Sequence, residues 1–261
     1  MTKINVSAII FVFNEMRYLE ECLRSLSKCI EILVYDMGSE DGSLIIAEKY
    51  ATKVISVPRV DIVESIWVEA ISEANNDWII LLDPDEVFPT KVLSEFNNIT
   101  QGKPEVAMIS VPWKYYFLSQ PLNSTTWGRE HYKSRFFNRT NVKISGLLFD
   151  GIKLKPGYKT ITIHYGPDNI IQHYWVESIQ QLFSKHWRYI KNAGEARFKN
   201  GERFSVKRQF TDSVRSLKKN LFEYNGINDG WRGVFLSLFY TGFIFSCHIS
   251  LYCYQKFQAP K

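Results

Sequence analysis

Apolar positions in the first 111 residues follow two alternating periods. Mostly apolar runs at residues 6–13, 32–35, 53–57, 78–82 and 106–111 read as short strands, those at 6–13, 32–35 and 78–82 as buried ones. Between them the spacing turns helical. Leu19, Cys22, Leu23 and Leu26 place one apolar stripe on a helix over 15–26. Further helices are predicted over 43–50 and 62–74, and from Pro89, a favoured first-turn residue. Strand and helix in strict alternation imply an α/β fold with a mostly parallel, doubly wound sheet flanked by helices. The alternation stops after residue 111. Residues 112–166 hold aromatics, short strand-like runs and turn signals, and are expected to form irregular structure and hairpins over a site. Helical spacing returns over 175–189, 205–224 and 231–254, with a turn of Asn225-Gly226-Ile227-Asn228-Asp229-Gly230 before the last.

In such sheets ligands bind beyond the carboxyl ends of the strands. Two acidic clusters fall there. Asp83-Pro84-Asp85 follows the run at 78–82 and offers two carboxylates two residues apart. Hard oxygen ligands of this kind hold a divalent cation, Mn2+ or Mg2+, which can neutralise a departing diphosphate. Asp36 ends the second strand and opens the turn Asp36-Met37-Gly38-Ser39-Glu40-Asp41-Gly42-Ser43. Its carboxylate suits a base imide or a ribose hydroxyl, while Gly38 and Gly42 shape the turn. Ser39 and Asp41 are suited to capping the helix that follows. His173 and His164 are candidates for a third metal ligand. Lys185 and Arg188 stand one helical turn apart, as a phosphate-binding pair or as a solvated one.

Composition narrows the class. With 45% hydrophobic and 23% charged residues, the 261-residue chain can bury a core and is not disordered. The net charge of +5 is concentrated, since eleven Lys and Arg lie between residues 185 and 219 against three acids. An anionic partner fits that surplus, and so does a solvated helical face. No helix-turn-helix, RNA-binding sheet signature or zinc spacing accompanies it, so nucleic acid is not expected. Cys22, Cys29, Cys247 and Cys253 form no CxxC pair and read as reduced thiols. The amino terminus lacks the pattern of a secretory signal, and a cytoplasmic protein is expected. Residues 233–254 contain no Asp, Glu, Lys or Arg, and a helix there reaches about 33 Å. Next to a basic stretch, it is expected to lie in a membrane interface.

Three pieces in order, Phe13-Asn14-Glu15, the turn at 36–43 and Leu82-Asp83-Pro84-Asp85-Glu86, resemble family 2 glycosyltransferases of GT-A fold. Within that family the chain is similar to short bacterial enzymes that add glucose to the lipopolysaccharide inner core. His173-Tyr174-Trp175, the segment 185–189 and Gly226-Ile227-Asn228-Asp229-Gly230 carry this second likeness. The resemblance implies an inverting transfer from a nucleotide-sugar donor to a glycan or glycolipid acceptor, on the cytoplasmic face of the cell membrane. Asn14, Glu15 and Asp36 would meet the donor, Asp83 the ribose or metal, and Asp85 the metal. Relatives carry an acid in the acceptor half as catalytic base, and Asp150 in Gly146-Leu147-Leu148-Phe149-Asp150 matches it. A strand over 142–148 would put Asp150 at an exposed turn, with Glu130 and Asp168 as competing acids. Two departures stand out. Phe149 replaces a His, and Ser65-Ile66-Trp67 lies where relatives have an Arg. They keep open a second reading, a degenerate relative that binds or scaffolds without turnover. The expected organisation is a GT-A donor and acceptor domain over 1–170 and a helical, basic, membrane-associating extension over 171–261.

Overall fold

The first four runs form strands in a computed structural model that describes residues 2–145 and 151–257, and all but the one at 53–57, whose residues are exposed or half-buried, are largely buried. They are β1 (Ile4–Val12), β2 (Cys29–Asp36), β3 (Lys53–Ser56) and β4 (Trp78–Leu82). Every residue of β1 from Val6 onward is buried, as is β4 from Ile79 onward, the pattern of a sheet interior. They pair in parallel in the order β3-β2-β1-β4. Helices α1 (Met16–Ser25), α2 (Ser43–Tyr50) and α3 (Trp67–Glu73) connect them. α1 buries Leu19, Cys22 and Leu23, the stripe read from spacing. The helix expected over 62–74 is shorter, because residues Val63–Ile66 form a 3-10 turn ahead of α3.

Beyond β4 the sheet changes direction. β5 (Glu86–Val87), α4 (Thr90–Ser94), α5 (Phe96–Thr100), β6 (Val106–Phe117), β7 (Gln120–Pro121), α6 (Thr125–Gly128) and β8 (His131–Asn138) follow in turn. Next come β9 (Val142–Ile144), β10 (Ile152–Leu154), β11 (Lys159–Thr162) and β12 (Ile171–Val176). β8 runs antiparallel beside β4, and β6, β12 and β5 continue the sheet. Residues 112–166 are therefore more regular than expected. Proline argues against an interior strand, yet β6 runs through Pro112, helped by a bulge between Ile109 and Val111 in its pairing with β8. The strand expected over 142–148 is β9, which ends at Ile144. Asp150 lies outside the described residues.

Two compact units result. The first takes Met1–Lys114 with Glu130–Trp175, the second Tyr115–Arg129 with Val176–Lys261. The division differs from one at 170/171 in that β12 stays almost wholly with the sheet and residues 115–129 join the helices. Trp175, expected in a helix, ends in β12, and Ser178 caps the helix that follows by accepting from Gln181 N at 3.1 Å.

The second unit holds α7 (Ile179–Lys199), α8 (Val206–Lys218) and α9 (Gly230–Phe257). α7 and α9 meet at Gly194, whose N–H donates to Ser250 Oγ at 3.0 Å. A Cβ there would lie 2.4 Å from Ser250 O, so only glycine permits the approach. Asp229 accepts from the backbone N–H groups of Asn123 and Ser124 at 2.9 and 2.8 Å and from Ser124 Oγ at 2.6 Å. Thr126 N donates to Asn220 Oδ1 at 2.7 Å, and Thr125 N to Tyr224 O at 3.2 Å. Thr125 is fully buried with φ of 66°, a conformation that a β-branched residue adopts only when its surroundings hold it there.

Candidate active site

The carboxyl end of β4 delivers Asp83 into a tight turn. Asp83 O accepts from Glu86 N at 3.0 Å, and Asp83 N donates to Glu86 Oε2 at 3.2 Å, so Glu86 closes the turn from both sides. β5 then pairs antiparallel with β12, with His173 opposite Glu86. His173 Nε2 lies 3.3 Å from Asp85 Oδ1, and Nδ1 lies 3.6 Å from Glu86 Oε1. Tyr174 N donates to Asp85 O at 2.8 Å. Trp113 stacks on the His173 ring, centroids 4.9 Å apart and planes within 9°. Asp85, Glu86 and His173 are buried and Asp83 is about a third exposed. Ligand atoms of Asp83, Glu86 and His173 lie within 4.8 Å of one another. Carboxylate oxygens with one imidazole are a donor set that can hold a divalent cation.

Two cations face these acids from β8. Lys133 and Arg135, two residues apart on one strand, project to the same side. Arg135 reaches Asp83 Oδ1 at 2.9 Å, and Lys133 reaches Glu86 Oε1 at 3.1 Å and Asp83 Oδ2 at 3.9 Å. Burial works against ionising Asp83, yet Arg135 and then Lys133 outweigh it and hold the carboxyl below its usual range. Burial and the neighbouring Arg135 bring Lys133 down to about 8, against the pull of Glu86 and Asp83. Burial pushes Glu64 up, with Arg135 and Lys133 opposing it. Arg135 also lies over the ring of Trp67, 5.7 Å from its centroid. Cys22 Sγ lies 3.6 Å from Asp83 O, and burial pushes its thiol well above the ordinary value, which leaves it unreactive.

The ends of β1 and β2 form the second half of the site. Asp36, at the end of β2, is buried and accepts from Gly38 N at 3.1 Å and Ser39 N at 3.2 Å. Its carboxylate thus shapes the turn together with Gly38, at φ 82°. Asn14, at φ 54°, donates its N–H to Ser39 Oγ at 3.0 Å and accepts from Glu40 N at 2.8 Å. Glu15 N donates to Ser43 Oγ at 3.0 Å. Asp41 does not cap α2 as its N-cap residue, a position taken by Gly42. It accepts instead from Ser43 N at 3.0 Å and Met16 N at 3.0 Å, tying the starts of α1 and α2 together. Arg59 lies over the Phe13 ring, 3.7 Å from its centroid.

The first unit therefore holds Asn14, Glu15, Asp36, Asp83 and Asp85 at or just past strand ends, with His173 within β12 opposite Glu86. Lys185 and Arg188 belong to α7 of the second unit, both half-buried. His164 is exposed and its carbonyl accepts from Asn169 Nδ2 at 3.3 Å. Glu130 and Asp168 are exposed as well. Sequence reasoning passed over Glu86, Lys133, Arg135 and Trp113. The available signal was the Lys133-Ser134-Arg135 alternation, which becomes meaningful once residues 131–138 are read as a strand beside β4.

The family model for glycosyl transferase family 2 matches residues 7–152, more than half of the chain. An uncharacterized glycosyltransferase of Rickettsia bellii is 25% identical over 228 residues, covering 83% of this chain and 76% of its own. The lipopolysaccharide core biosynthesis glycosyltransferase LpsC of Rhizobium meliloti is 42% identical over 48 residues, 18% of each chain. Among solved structures, mannosyltransferase PcManGT of Pyrobaculum calidifontis, in complex with GDP-Man and Mn2+, matches with a TM-score of 0.59 at 12% identity, covering 98% of this chain and 89% of its own.

Proposed function

The chain belongs to glycosyl transferase family 2, and from that premise we propose an inverting, metal-dependent transfer of a sugar from a nucleoside-diphosphate sugar to a glycan or glycolipid acceptor. Its fold is of GT-A type, a mostly parallel sheet with flanking helices and a helical carboxyl-terminal region. The observation that carries the proposal is the convergence of Asp83, Asp85, Glu86 and His173 at the end of β4, with Lys133 and Arg135 beside them. Asp36 ends β2, and β1 lies between β2 and β4. A nucleotide laid across those strand ends would place its base toward Asp36 and its diphosphate toward Asp85.

In this reading Asp85, Asp83 and His173 hold the cation, with Glu86 completing or orienting the set. Bound Mn2+ or Mg2+ supplies Lewis-acid neutralisation of the leaving diphosphate. Lys133 and Arg135 are fixed cations already aimed at the acids, and they counter phosphate charge without reorganising. Asp150 is the proposed base, taking the proton of the acceptor hydroxyl as it attacks from the face opposite the nucleotide. Lys185 and Arg188 are proposed phosphate contacts. The short likeness to LpsC and the inner-core resemblance support an acceptor in cell-surface polysaccharide or lipopolysaccharide synthesis, and we place that step at the cytoplasmic face of the membrane.

The test is purified full-length protein offered a panel of nucleotide sugars, with and without Mn2+. Release of nucleoside diphosphate should occur with a matching donor and only with metal, and the product linkage should be inverted by NMR. Donor binding without turnover across all donors and candidate acceptors would instead identify a binding protein built on this fold.

A further inference from the structure

The second unit carries an apolar face that its own helices leave open. On α7, Phe183 and Trp187 are 55% and 61% exposed; on α8, Phe210 and Val214 are 58% and 66%; on α9, Leu238 and Ile249 are 55% and 44%. Each pair follows the helical repeat, so each helix contributes a stripe rather than a scattered residue. The stripes join into one surface. Phe183 packs edge-on against Phe239 of α9 at 5.1 Å, and Phe210 packs against Phe245 of α9 at 6.1 Å. Phe239 and Phe245 lie three residues either side of Gly242, so α9 runs between the two outer stripes with Gly242 along its outward line. A groove of about 630 Å3 separates α7 from α9, lined mainly by aromatic and aliphatic side chains.

Charge identifies what covers this face. On α8 the stripe of Val206, Phe210 and Val214 is bordered by exposed Lys207 and Lys218. Long cationic side chains beside an exposed apolar stripe let the stripe enter hydrocarbon while the charges stay at the headgroups. α9 is apolar and long enough to cross a bilayer, but polar ties lash it to its neighbours. His248 Nε2 meets Asp212 Oδ2 of α8 at 3.2 Å, and Ser250 Oγ accepts from Gly194 N of α7. Crossing would drag charged α7 and α8 into the bilayer core. We propose that the face formed by α7, α8 and α9 rests on an anionic lipid bilayer, with Phe183, Trp187, Phe210, Val214, Leu238 and Ile249 in the acyl boundary and the α8 cations on lipid phosphates.

Flotation of the full chain with phosphatidylcholine vesicles, with and without phosphatidylglycerol, tests this. The chain should float with the anionic vesicles. Trp187→Gln with Phe210→Gln should lower partitioning on the order of tenfold or more. Lys207→Gln with Lys218→Gln should erase several-fold of the preference for anionic lipid. Circular dichroism and light scattering on the same variants report folding and oligomeric state. Absence of vesicle binding by the parent chain, or unchanged binding by folded Trp187→Gln/Phe210→Gln protein, overturns the proposal. So does a dimer that this variant splits without any vesicle binding, since the face would then cover a second copy. Because flotation reads no turnover, its result is separable from the glycosyltransferase reading.

Discussion

Glu86 is fully buried, and its charge is balanced mainly by Lys133 at 3.1 Å. Lys133→Ala should therefore destabilise the protein by about 3–5 kcal/mol in urea unfolding, because a buried carboxylate loses its counter-charge. Removing Glu86 as well should return part of that loss. Asp85 sits differently: its carbonyl accepts from Tyr174 N and its carboxylate faces His173 Nε2 at 3.3 Å. Asp85→Asn should melt close to the parent protein yet lose Mn2+ affinity in calorimetry and about 10²–10³-fold in transfer rate. Normal turnover by folded Asp85→Asn protein would remove the cation from the proposed mechanism. The acids of this site were legible in the sequence because they follow apolar runs directly, where a strand end is the natural reading. Glu86 stood in the same motif but reads as one more turn acid, and only its burial gives it a different weight. Lys133 and Arg135 reach Asp83 through strand pairing some fifty residues away in the chain, and no local pattern encodes that distance.

At the scale of elements, the site is framed by short-range ties between helix starts and strand ends. Asp41 links the starts of α1 and α2. Burial alone would raise its pKa, but the Ser43 hydroxyl and the N–H groups of Met16 and Ser43 lower it. A carboxyl with a depressed folded pKa gives stability that is complete above the ordinary value near 4 and is lost as pH falls through the folded value. The melting-temperature gap between the parent and Asp41→Asn should thus be widest near neutrality and close in acid; a gap independent of pH would show that ionisation has no part in it. Arg139 ties the end of α3, donating from NH1 to the carbonyls of Ile71 and Ala74 at 2.9 and 2.7 Å. Arg139→Ala should cost about 1–3 kcal/mol by leaving those acceptors unmet, readable by urea unfolding. The parallel half of the sheet was legible because short, mostly apolar runs alternating with helical spacing admit few other structures. The antiparallel half was not. β8 is polar at Lys133, Ser134 and Arg135 because its alternate residues line a site, and β6 contains a proline that its bulge accommodates. Both features read locally as loop.

For the molecule as a whole, ligand binding and folding are linked. Mn2+ together with the matching nucleoside diphosphate should raise the melting temperature, by about 2.7 kcal/mol of stabilisation at a hundredfold excess over Kd. A chelator should reverse the rise, and Asp85→Asn should show none. A different consequence follows from the loop at 123–126, whose backbone is satisfied by residues that are translated much later. Asn123 N and Ser124 N wait for Asp229, 106 and 105 residues downstream, and Thr126 N waits for Asn220, 94 residues downstream. At roughly 5–20 residues per second, that is on the order of 5–20 s of ribosome time before the Asp229 and Asn220 acceptors are made. The nascent loop should be open to chaperones and proteases throughout. Ribosome-stalled chains probed by pulse proteolysis should be cut within 115–129 until residues 220–229 have cleared the exit tunnel, and be protected afterwards. Closure of this loop should therefore follow synthesis of residues 220–229, which supply its acceptors late in the chain.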